Sequence, residues 1–255
     1  MIPDQKKYKV VVFDLDGTLT ESKSKMTIEM SDLLSSLLEE HYVAIVSGGA
    51  FPQYQKQILD GLGHIGDGLK NHLYLFPTNG SSLYLYKDNN WVCEYEELLN
   101  TDEKTKIMHA WNEALKQTKI ILPTPSYGPV IEDRATQISF SGCGQSAPIE
   151  IKSVWDPKME KRSALRDVML PFLPDFSISL GGMSTIDVTR KGIDKAYSIN
   201  KIISYLGVIK SDIMFVGDKL EPGGNDFPAR ASGADCVEVS GPKETEKVIK
   251  KLISK

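Results

Sequence analysis

The sequence predicts an α/β fold in which a doubly wound, Rossmann-like parallel sheet carries an inserted α+β domain. Short apolar runs at 9–13, 41–46, 73–76 and 212–216 are each followed by turn-forming or polar residues, which is typical of buried parallel strands. Helical periodicity separates these runs, and such alternation favours parallel pairing. Between about 86 and 187 a different pattern of shorter strands predicts a separate inserted domain.

The predicted elements follow in order along the chain. The first part should form a strand at 9–13, a helix at 27–40, a strand at 41–46, a helix at 51–62 and a strand at 73–76. The middle should form a hairpin at 82–94, a helix at 102–117, extended segments near 130–131, 137–140 and 149–151, a helix at 158–170, and strands at 177–180 and 185–188. A helix at 195–205, strands at 212–216 and 234–239, and a terminal surface helix complete the chain. Apolar residues three and four positions apart predict the helices, and Lys87-Asp88-Asn89 between two extended runs predicts the hairpin. We therefore expect a discontinuous core of residues 1–85 and 188–255, with residues 86–187 inserted.

Composition restricts the partners of this protein. The 255-residue chain has a formal net charge of −4 and lacks the basic footprint of a nucleic-acid-binding protein. No apolar run approaches the roughly 18 residues of a spanning helix, and the first residues lack the apolar stretch of a signal peptide. Cys93, Cys143 and Cys236 lie far apart, which is typical of reduced thiols. We expect a cytoplasmic protein that binds neither nucleic acid nor membrane.

Polar side chains follow three of the predicted core strands. Asp14 and Asp16 come directly after the first strand, Ser47 after the second, and Asp218 after the strand at 212–216, while Lys195 opens a helix. The carboxyl ends of the strands of a doubly wound sheet meet at one edge, where ligands bind. Carboxylates there suit Mg²⁺, and a hydroxyl, backbone N–H groups and a lysine can hold phosphoryl oxygens. The pattern predicts a site for a metal and an anion.

These residues, in this order, resemble the four sequence motifs of the haloacid dehalogenase superfamily of phosphotransferases. The matching segments are Asp14-Leu15-Asp16-Gly17-Thr18-Leu19-Thr20, Ser47, Lys195, and Gly217-Asp218 with Asn225-Asp226. The insertion resembles the α/β cap of Cof-type sugar phosphatases and eukaryotic-type phosphomannomutases. The long fourth motif at 217–226 resembles the phosphomannomutase version, as do Gly181-Gly182 and the segment Gly192-Ile193-Asp194-Lys195.

The resemblance implies a role for each charged residue. Asp14 would be the nucleophile that forms an aspartyl phosphate, and Asp16 would be the general acid and base. Mg²⁺ would bind the Asp14 carboxylate, the Asp16 backbone carbonyl and Asp218. Asp226 would support the metal through water, and Lys195 would pair with Asp14 and the phosphate.

Two of the motif residues could instead have a purely structural role. Ser47, with the N–H groups of Gly48 and Gly49, would bind the phosphoryl group, but the Ser47 hydroxyl could also cap the next helix. Asp226 could equally be the N-cap of the helix that begins after it.

The cap departs from the phosphomannomutase pattern at the positions that would bind a second phosphate. Arg134 matches an arginine of that pattern, and Thr185 and Asp187 match its sugar-contacting strand. The other positions of the pattern are changed: Ser126-Tyr127 and Gln145 replace arginines, and Ala135 and Ser139 replace asparagines. Losing two arginine–phosphate contacts should cost several kcal/mol, at about 1.5–3 kcal/mol for each charged hydrogen bond. Arg134 itself could instead be a structural partner of Glu132 or Asp133.

The cap therefore favours water as the phosphoryl acceptor. We expect a Mg²⁺-dependent phosphatase that hydrolyses a small phosphate ester such as a sugar phosphate. The alternative is a phosphomannomutase that interconverts mannose 6-phosphate and mannose 1-phosphate, and a second alternative is an inactive phosphate-binding protein. Proteins with this kind of cap often dimerise through it, so the resemblance also suggests a homodimer.

Overall fold

The computed structural model describes residues 8–254, which form two compact units. The first unit extends to Glu96 and resumes at Asp194, and the second comprises Glu97–Ile193. Both boundaries between the units lie later in the chain than expected: after residue 96 instead of 85, and after residue 193 instead of 187. Among the described residues, no helix has the length and apolar character needed to cross a membrane.

Strands and helices alternate along much of the first unit, whereas the strands of the second unit pair in antiparallel orientation. The strands are β1 Val10–Asp14, β2 Tyr42–Val46, β3 Leu73–Phe76, β4 Ser82–Lys87, β5 Asn90–Glu96, β6 Ile131–Asp133, β7 Ile138–Ser141, β8 Phe176–Gly181, β9 Thr185–Arg190, β10 Ile213–Gly217 and β11 Asp235–Glu238. The helices are α1 Ile28–Glu40, α2 Phe51–Tyr54, α3 Asp67–Lys70, α4 Thr101–Thr118, α5 Ile149–Trp155, α6 Glu160–Met169, α7 Lys195–Leu206, α8 Pro228–Ala231 and α9 Pro242–Ile253. A π-helical segment, Gln55–Leu59, continues directly from α2.

The first unit is built on a seven-stranded sheet in the order β11-β10-β1-β2-β3-β4-β5. The first five strands in that order are parallel, and the hairpin of β4 and β5 joins them in antiparallel orientation. The predicted parallel core is therefore confirmed. Because β5 pairs with β4 in this sheet, the second strand of the hairpin belongs to the core unit and not to the insertion.

Strand β1 is buried on both faces, which explains its continuous apolar sequence. Val11 and Phe13 pack in the cluster that includes residues of α1 and α9, whereas Val10 and Val12 pack in the cluster that includes residues of α7. Strand β1 pairs with β10 on one side and with β2 on the other. This arrangement brings the residues that follow β1, β2 and β10 to the same edge of the sheet.

Helix α7 places Lys195 at its first position. The Asp194 side chain caps the helix by accepting a hydrogen bond from the backbone N–H of Tyr197 at 2.9 Å. Ile199 and Ile202 of the same helix are buried against the sheet. Capping and burial together fix the rotation of the helix, and with it the direction of the Lys195 side chain.

The second unit is a four-stranded antiparallel sheet, β6-β7-β9-β8, with one apolar and one polar face. Ile138, Phe140, Ile186 and Val188 form the apolar face and share a cluster with residues of α4 and α6. The alternate residues of β7 and β9 are serine, threonine and aspartate, as expected for the two faces of a strand. The segment expected to be extended near 149–151 is helix α5, in which the buried residues Lys152 and Trp155 are three positions apart and share one helical face.

A buried ion pair supports the turn between β8 and β9. The Nε of Arg162 lies 2.8 Å from Oδ2 of Asp156, and both side chains are only 2% exposed. The Nη1 of Arg162 also donates to the carbonyls of Gly181 and Gly182 at 3.0 and 3.1 Å. A single guanidinium thus joins α6 to the glycine turn that precedes the polar residues of β9.

Replacing this arginine should destabilise the second unit strongly. We expect Arg162→Ala to lower the free energy of unfolding by about 3–5 kcal/mol, because Asp156 would stay buried without a cation. Arg166→Ala is the matched control on the same helix, since its ion pair with Asp167 is exposed and should contribute less than about 1 kcal/mol. Urea unfolding followed by circular dichroism measures both, and equal losses would contradict the prediction.

Candidate active site

Three carboxylates and one lysine meet at the carboxyl edge of the core sheet. One oxygen from each of Asp14, Asp218 and Asp226 lies within 4.8 Å of the other two. The Nζ of Lys195 donates to Oδ1 of Asp14 at 2.5 Å and to the backbone carbonyl of Val46, and it lies 3.5 Å from Oδ1 of Asp226. Lys195 is 1% exposed and Asp226 is fully buried. Of the residues predicted from the motifs, the structure brings these four together.

The negative charges in this cluster exceed the positive ones. Burial, followed by the Asp226 carboxylate, raises the pKa of Asp14 to about 8, although Lys195 opposes this shift. Burial also raises the pKa of Asp218 to about 6. For Lys195, burial acts to lower the pKa, but the carboxylates of Asp14 and Asp226 outweigh it and raise the pKa above its ordinary value. An additional cation would therefore stabilise the charged carboxylates.

The residues present fit a divalent cation such as Mg²⁺. The Oδ1 atom of Asp218 is buried and has no hydrogen-bond partner among the described residues, so it offers a free ligand atom. Carboxylate oxygens are the hard ligands that Mg²⁺ prefers. We take Asp14 and Asp218 as the carboxylates that would hold it.

Two glycines make room for the carboxylates. A Cβ atom at Gly17 would lie 2.6 Å from Oδ2 of Asp218, and one at Gly217 would lie 2.5 Å from Oδ2 of Asp226. Gly17 also has a φ of +87°, which L side chains rarely adopt. Gly17 and Gly217 therefore leave the space that the Asp218 and Asp226 carboxylates occupy.

The side chain of Asp226 contacts the cluster and does not cap the helix that follows it. Its Oδ2 accepts a hydrogen bond from the backbone N–H of Lys219 at 3.2 Å, and its Oδ1 faces Lys195. The N-cap position of α8 belongs to Phe227. The alternative in which the Asp226 side chain caps the following helix therefore does not match the observed contacts.

The carboxylate of Asp16 lies apart from the other three. Its Oδ1 accepts from the backbone N–H of Lys23 at 2.7 Å and from Nε2 of Gln57 at 3.1 Å, and its Oδ2 accepts from Nε2 of Gln53 at 2.9 Å. Asp16 is partly exposed, whereas Asp14 is buried. The two acids of the first motif therefore have different environments, and neither glutamine belongs to a motif that the sequence reveals.

Ser47 stabilises its own loop. Its hydroxyl accepts a hydrogen bond from the Gly49 N–H at 3.2 Å, while α2 begins after Ala50 without a side-chain cap. The carbonyls of Ser47 and Gly49 accept from Asn79 and Thr78 at 2.8 and 3.0 Å. Thr78 and Asn79 both have positive φ, so the strained turn after β3 holds the loop in which the resemblance places phosphate-binding residues.

The second unit holds the remaining predicted residues on its polar sheet face. Arg134 donates from Nε and Nη2 to Oε2 of Glu132 at 2.9 and 2.6 Å, and its Nη1 lies 3.8 Å from Oδ1 of Asp187. Asp187 pairs in register with Ser139, and Thr185 pairs with Ser141. The ion pair with Glu132, the structural alternative to substrate binding by Arg134, is therefore present, and two carboxylates lie against this arginine.

Comparison with known proteins shows the family of this chain. Residues 30–255 match the profile described as eukaryotic phosphomannomutase. The chain belongs to the eukaryotic phosphomannomutase family. A phosphomannomutase of Encephalitozoon cuniculi is 27% identical over 253 residues, which cover 96% of this chain and 94% of that protein. The resemblance predicted from the four motifs is confirmed, and with it the expectation of an enzyme.

Solved structures of other proteins share the fold. An IMP-bound IMP-nucleotidase of Plasmodium falciparum has a TM-score of 0.73 at 16% identity, covering 99% of this chain and 70% of that one. A haloacid dehalogenase-like hydrolase of Bacteroides thetaiotaomicron has a TM-score of 0.63 at 14% identity, covering 96% of this chain and all of that one. At these identities the likeness establishes the fold alone. The relatives favour the phosphomannomutase alternative over the phosphatase that the cap sequence suggested.

Magnesium should stabilise the wild-type protein through the acid cluster. At a concentration about one hundred times its dissociation constant, a ligand that binds only the folded state adds about 2.7 kcal/mol. We expect MgCl₂ to raise the Tm of the wild type, and Asp218→Asn to remove most of that rise without lowering the Tm in the absence of magnesium.

Asp88→Asn is the control, because Asp88 is an exposed turn residue with positive φ that asparagine also adopts. Thermal unfolding with and without MgCl₂, at matched ionic strength, measures the effect. An undiminished magnesium response in Asp218→Asn would contradict the proposed ligand.

Proposed function

We propose that this protein is a Mg²⁺-dependent phosphomannomutase that transfers a phosphoryl group through Asp14. The observation that carries the proposal is the buried Asp14, bonded to Lys195 and grouped with Asp218 and Asp226, in a chain of the phosphomannomutase family. The relatives named phosphomannomutase align over nearly the whole chain, which supports a small phosphorylated sugar as the substrate.

In the first half of the reaction, an Asp14 oxygen attacks one phosphorus atom of a sugar bisphosphate, and the sugar monophosphate is the leaving group. The bond from phosphorus to the sugar oxygen breaks, and that oxygen takes a proton from Asp16. In the second half, the acceptor hydroxyl gives its proton to Asp16 while its oxygen attacks the phosphorus atom. The bond from phosphorus to Asp14 then breaks, so both acids return to their starting states.

Lys195 favours the charged form of the nucleophile and holds it in place. Its ammonium group donates to Asp14 and to the carbonyl of Val46, so the Asp14 carboxylate is oriented by a lysine that is itself anchored to β2. A bound Mg²⁺ would neutralise negative charge on the transferred phosphoryl group. Ser47 and the backbone N–H groups of Gly48 and Gly49 would hold the phosphoryl oxygens, as the resemblance implies.

One observation favours phosphate hydrolysis as a second candidate function. A mutase must bind both phosphates of a sugar bisphosphate, and the second phosphate needs positive charge. On the polar face of the second unit, Arg134 is balanced by Glu132 and lies near Asp187. The family pattern has further arginines where this chain has Ser126-Tyr127 and Gln145. A phosphatase would not need these cations, because water is its acceptor.

A sugar phosphate assay with two readouts distinguishes these functions. Mannose 1-phosphate is incubated with and without a hexose bisphosphate, and the products are followed by ³¹P NMR. We expect conversion to mannose 6-phosphate that depends on the bisphosphate, with little free phosphate. Asp14→Asn should reduce the rate at least about a thousandfold because it removes the nucleophile. The surface variant Asp88→Asn should retain the wild-type rate.

The other outcomes assign the other functions. Release of phosphate as the main reaction, even with the bisphosphate present, would replace the mutase by the phosphatase. Absence of turnover across a panel of phosphate esters would support a phosphate-binding protein. The cytoplasmic location and the homodimer formed through the cap stay predictions.

A further inference from the structure

Two glutamines of one short segment bind the side chain of Asp16. Gln53 lies in α2 and Gln57 in the π-helical segment that follows, four residues later. Their amide N–H groups donate to different oxygens of the same carboxylate, at 2.9 Å to Oδ2 and at 3.1 Å to Oδ1. The backbone N–H of Lys23 also donates to Oδ1, at 2.7 Å, so Gln53 supplies the donor on Oδ2 and Gln57 adds a second donor on Oδ1. Donors on both oxygens fix the plane of a carboxyl group, which donors on one oxygen alone would leave free to turn.

Gln57 is placed for this contact in spite of its burial. It is 3% exposed, and its Nε2 donates to Oγ1 of Thr20 at 2.8 Å as well as to Asp16. Its Oε1 is buried with no hydrogen-bond partner among the described residues. An unsatisfied buried oxygen lowers stability, so packing alone does not explain a glutamine at this position.

The local backbone is shaped around the same contact. A π-helical turn is rare and is frequently found at functional sites, and here it contains Gln57. On the neighbouring loop, a Cβ atom at Gly49 would lie 2.4 Å from Oε1 of Gln53. The glycine therefore leaves space for the Gln53 side chain in the conformation that reaches Asp16.

We propose that Gln53 and Gln57 are positioning residues that orient Asp16 for proton transfer to and from the substrate oxygen. This inference rests on the proposed function, in which Asp16 gives its proton to the departing sugar oxygen and takes one from the acceptor hydroxyl. An amide N–H group neither accepts nor supplies that proton, so the glutamines fix the geometry while Asp16 remains the group that reacts.

The proposal predicts that the loss of rate depends on the leaving group. A sugar oxygen needs a proton as its bond to phosphorus breaks, whereas p-nitrophenolate leaves without one. A defect in the positioning of the acid should therefore slow phosphoryl transfer from mannose 1,6-bisphosphate and spare transfer from p-nitrophenyl phosphate. A general structural defect at Asp14 or the phosphate loop would slow both donors alike.

Single-turnover phosphorylation of Asp14, with MgCl₂ and enzyme in excess, tests this with both donors. Release of mannose monophosphate or p-nitrophenolate is measured by rapid quench, so the later transfer from Asp14 does not contribute. We expect Gln53→Ala to reduce the rate with mannose 1,6-bisphosphate about a hundredfold, within the range of general acid catalysis, and the rate with p-nitrophenyl phosphate less than about threefold. Gln57→Leu should show the same selectivity with a smaller loss, because the Lys23 N–H still donates to Oδ1 of Asp16.

The controls keep the result interpretable. Gln55→Ala changes an exposed glutamine of the same segment and should leave both rates unchanged. Gln53 is less buried than Gln57, so Gln53→Ala tests the proposal even where Gln57→Leu does not fold. Equal losses with the two donors, or no loss with either, would overturn the positioning role. If the wild type accepts phosphate from neither donor, the proposed function is overturned, and this inference with it.

Discussion

The contact between Lys195 and Asp14 is the interaction on which the site depends. A buried ion pair of this kind forms only where geometry is good and the remaining atoms are satisfied, since removing charge from water is costly. Here the lysine reaches Asp14, Asp226 and the carbonyl of Val46 from the start of α7, so strand β1, strand β2 and the loop after β10 are all connected to one ammonium group. The single positive charge still leaves the three acids uncompensated, and this imbalance makes the cluster a binding site for a cation.

The two acids of the first motif have contrasting surroundings, and the contrast suits different tasks. Asp14 is buried, paired with a lysine and surrounded by further carboxylates, whereas Asp16 is partly exposed and bound by neutral N–H donors. A nucleophile must be held against the phosphorus atom, while a proton carrier must reach an oxygen that changes between the two halves of the reaction. One residue of spacing is enough to separate these environments, because the chain turns sharply at Asp16 and Gly17.

Much of the core and of the acid cluster could be predicted from the sequence, because both depend on local patterns. Continuous apolar runs marked β1, β2, β3 and β10, and the residues directly after them form the site. The sequence could not show that β5 joins the core sheet, since a hairpin pattern does not say which sheet it extends. Gln53 and Gln57 were missed because their partner is about forty residues away and a π-helical turn has no sequence signature; their spacing just after the Ser47 loop was the available signal. The phosphatase expectation relied on cap positions alone, and the match of residues 30–255 to the family favoured the mutase.

The inserted unit has a consequence for how the chain folds. Strand β1 pairs with β10 across about two hundred residues, a separation that makes closure slow in an unfolded chain. Within the second unit, Arg190 near its end bonds Glu103 and the carbonyl of Leu98 near its beginning, so folding of this unit holds its two ends together. The effective loop between β5 and α7 then becomes short. An insertion that forms early would thus hold the end of β5 close to the start of α7. It would speed the meeting of Asp14 and Lys195 during folding.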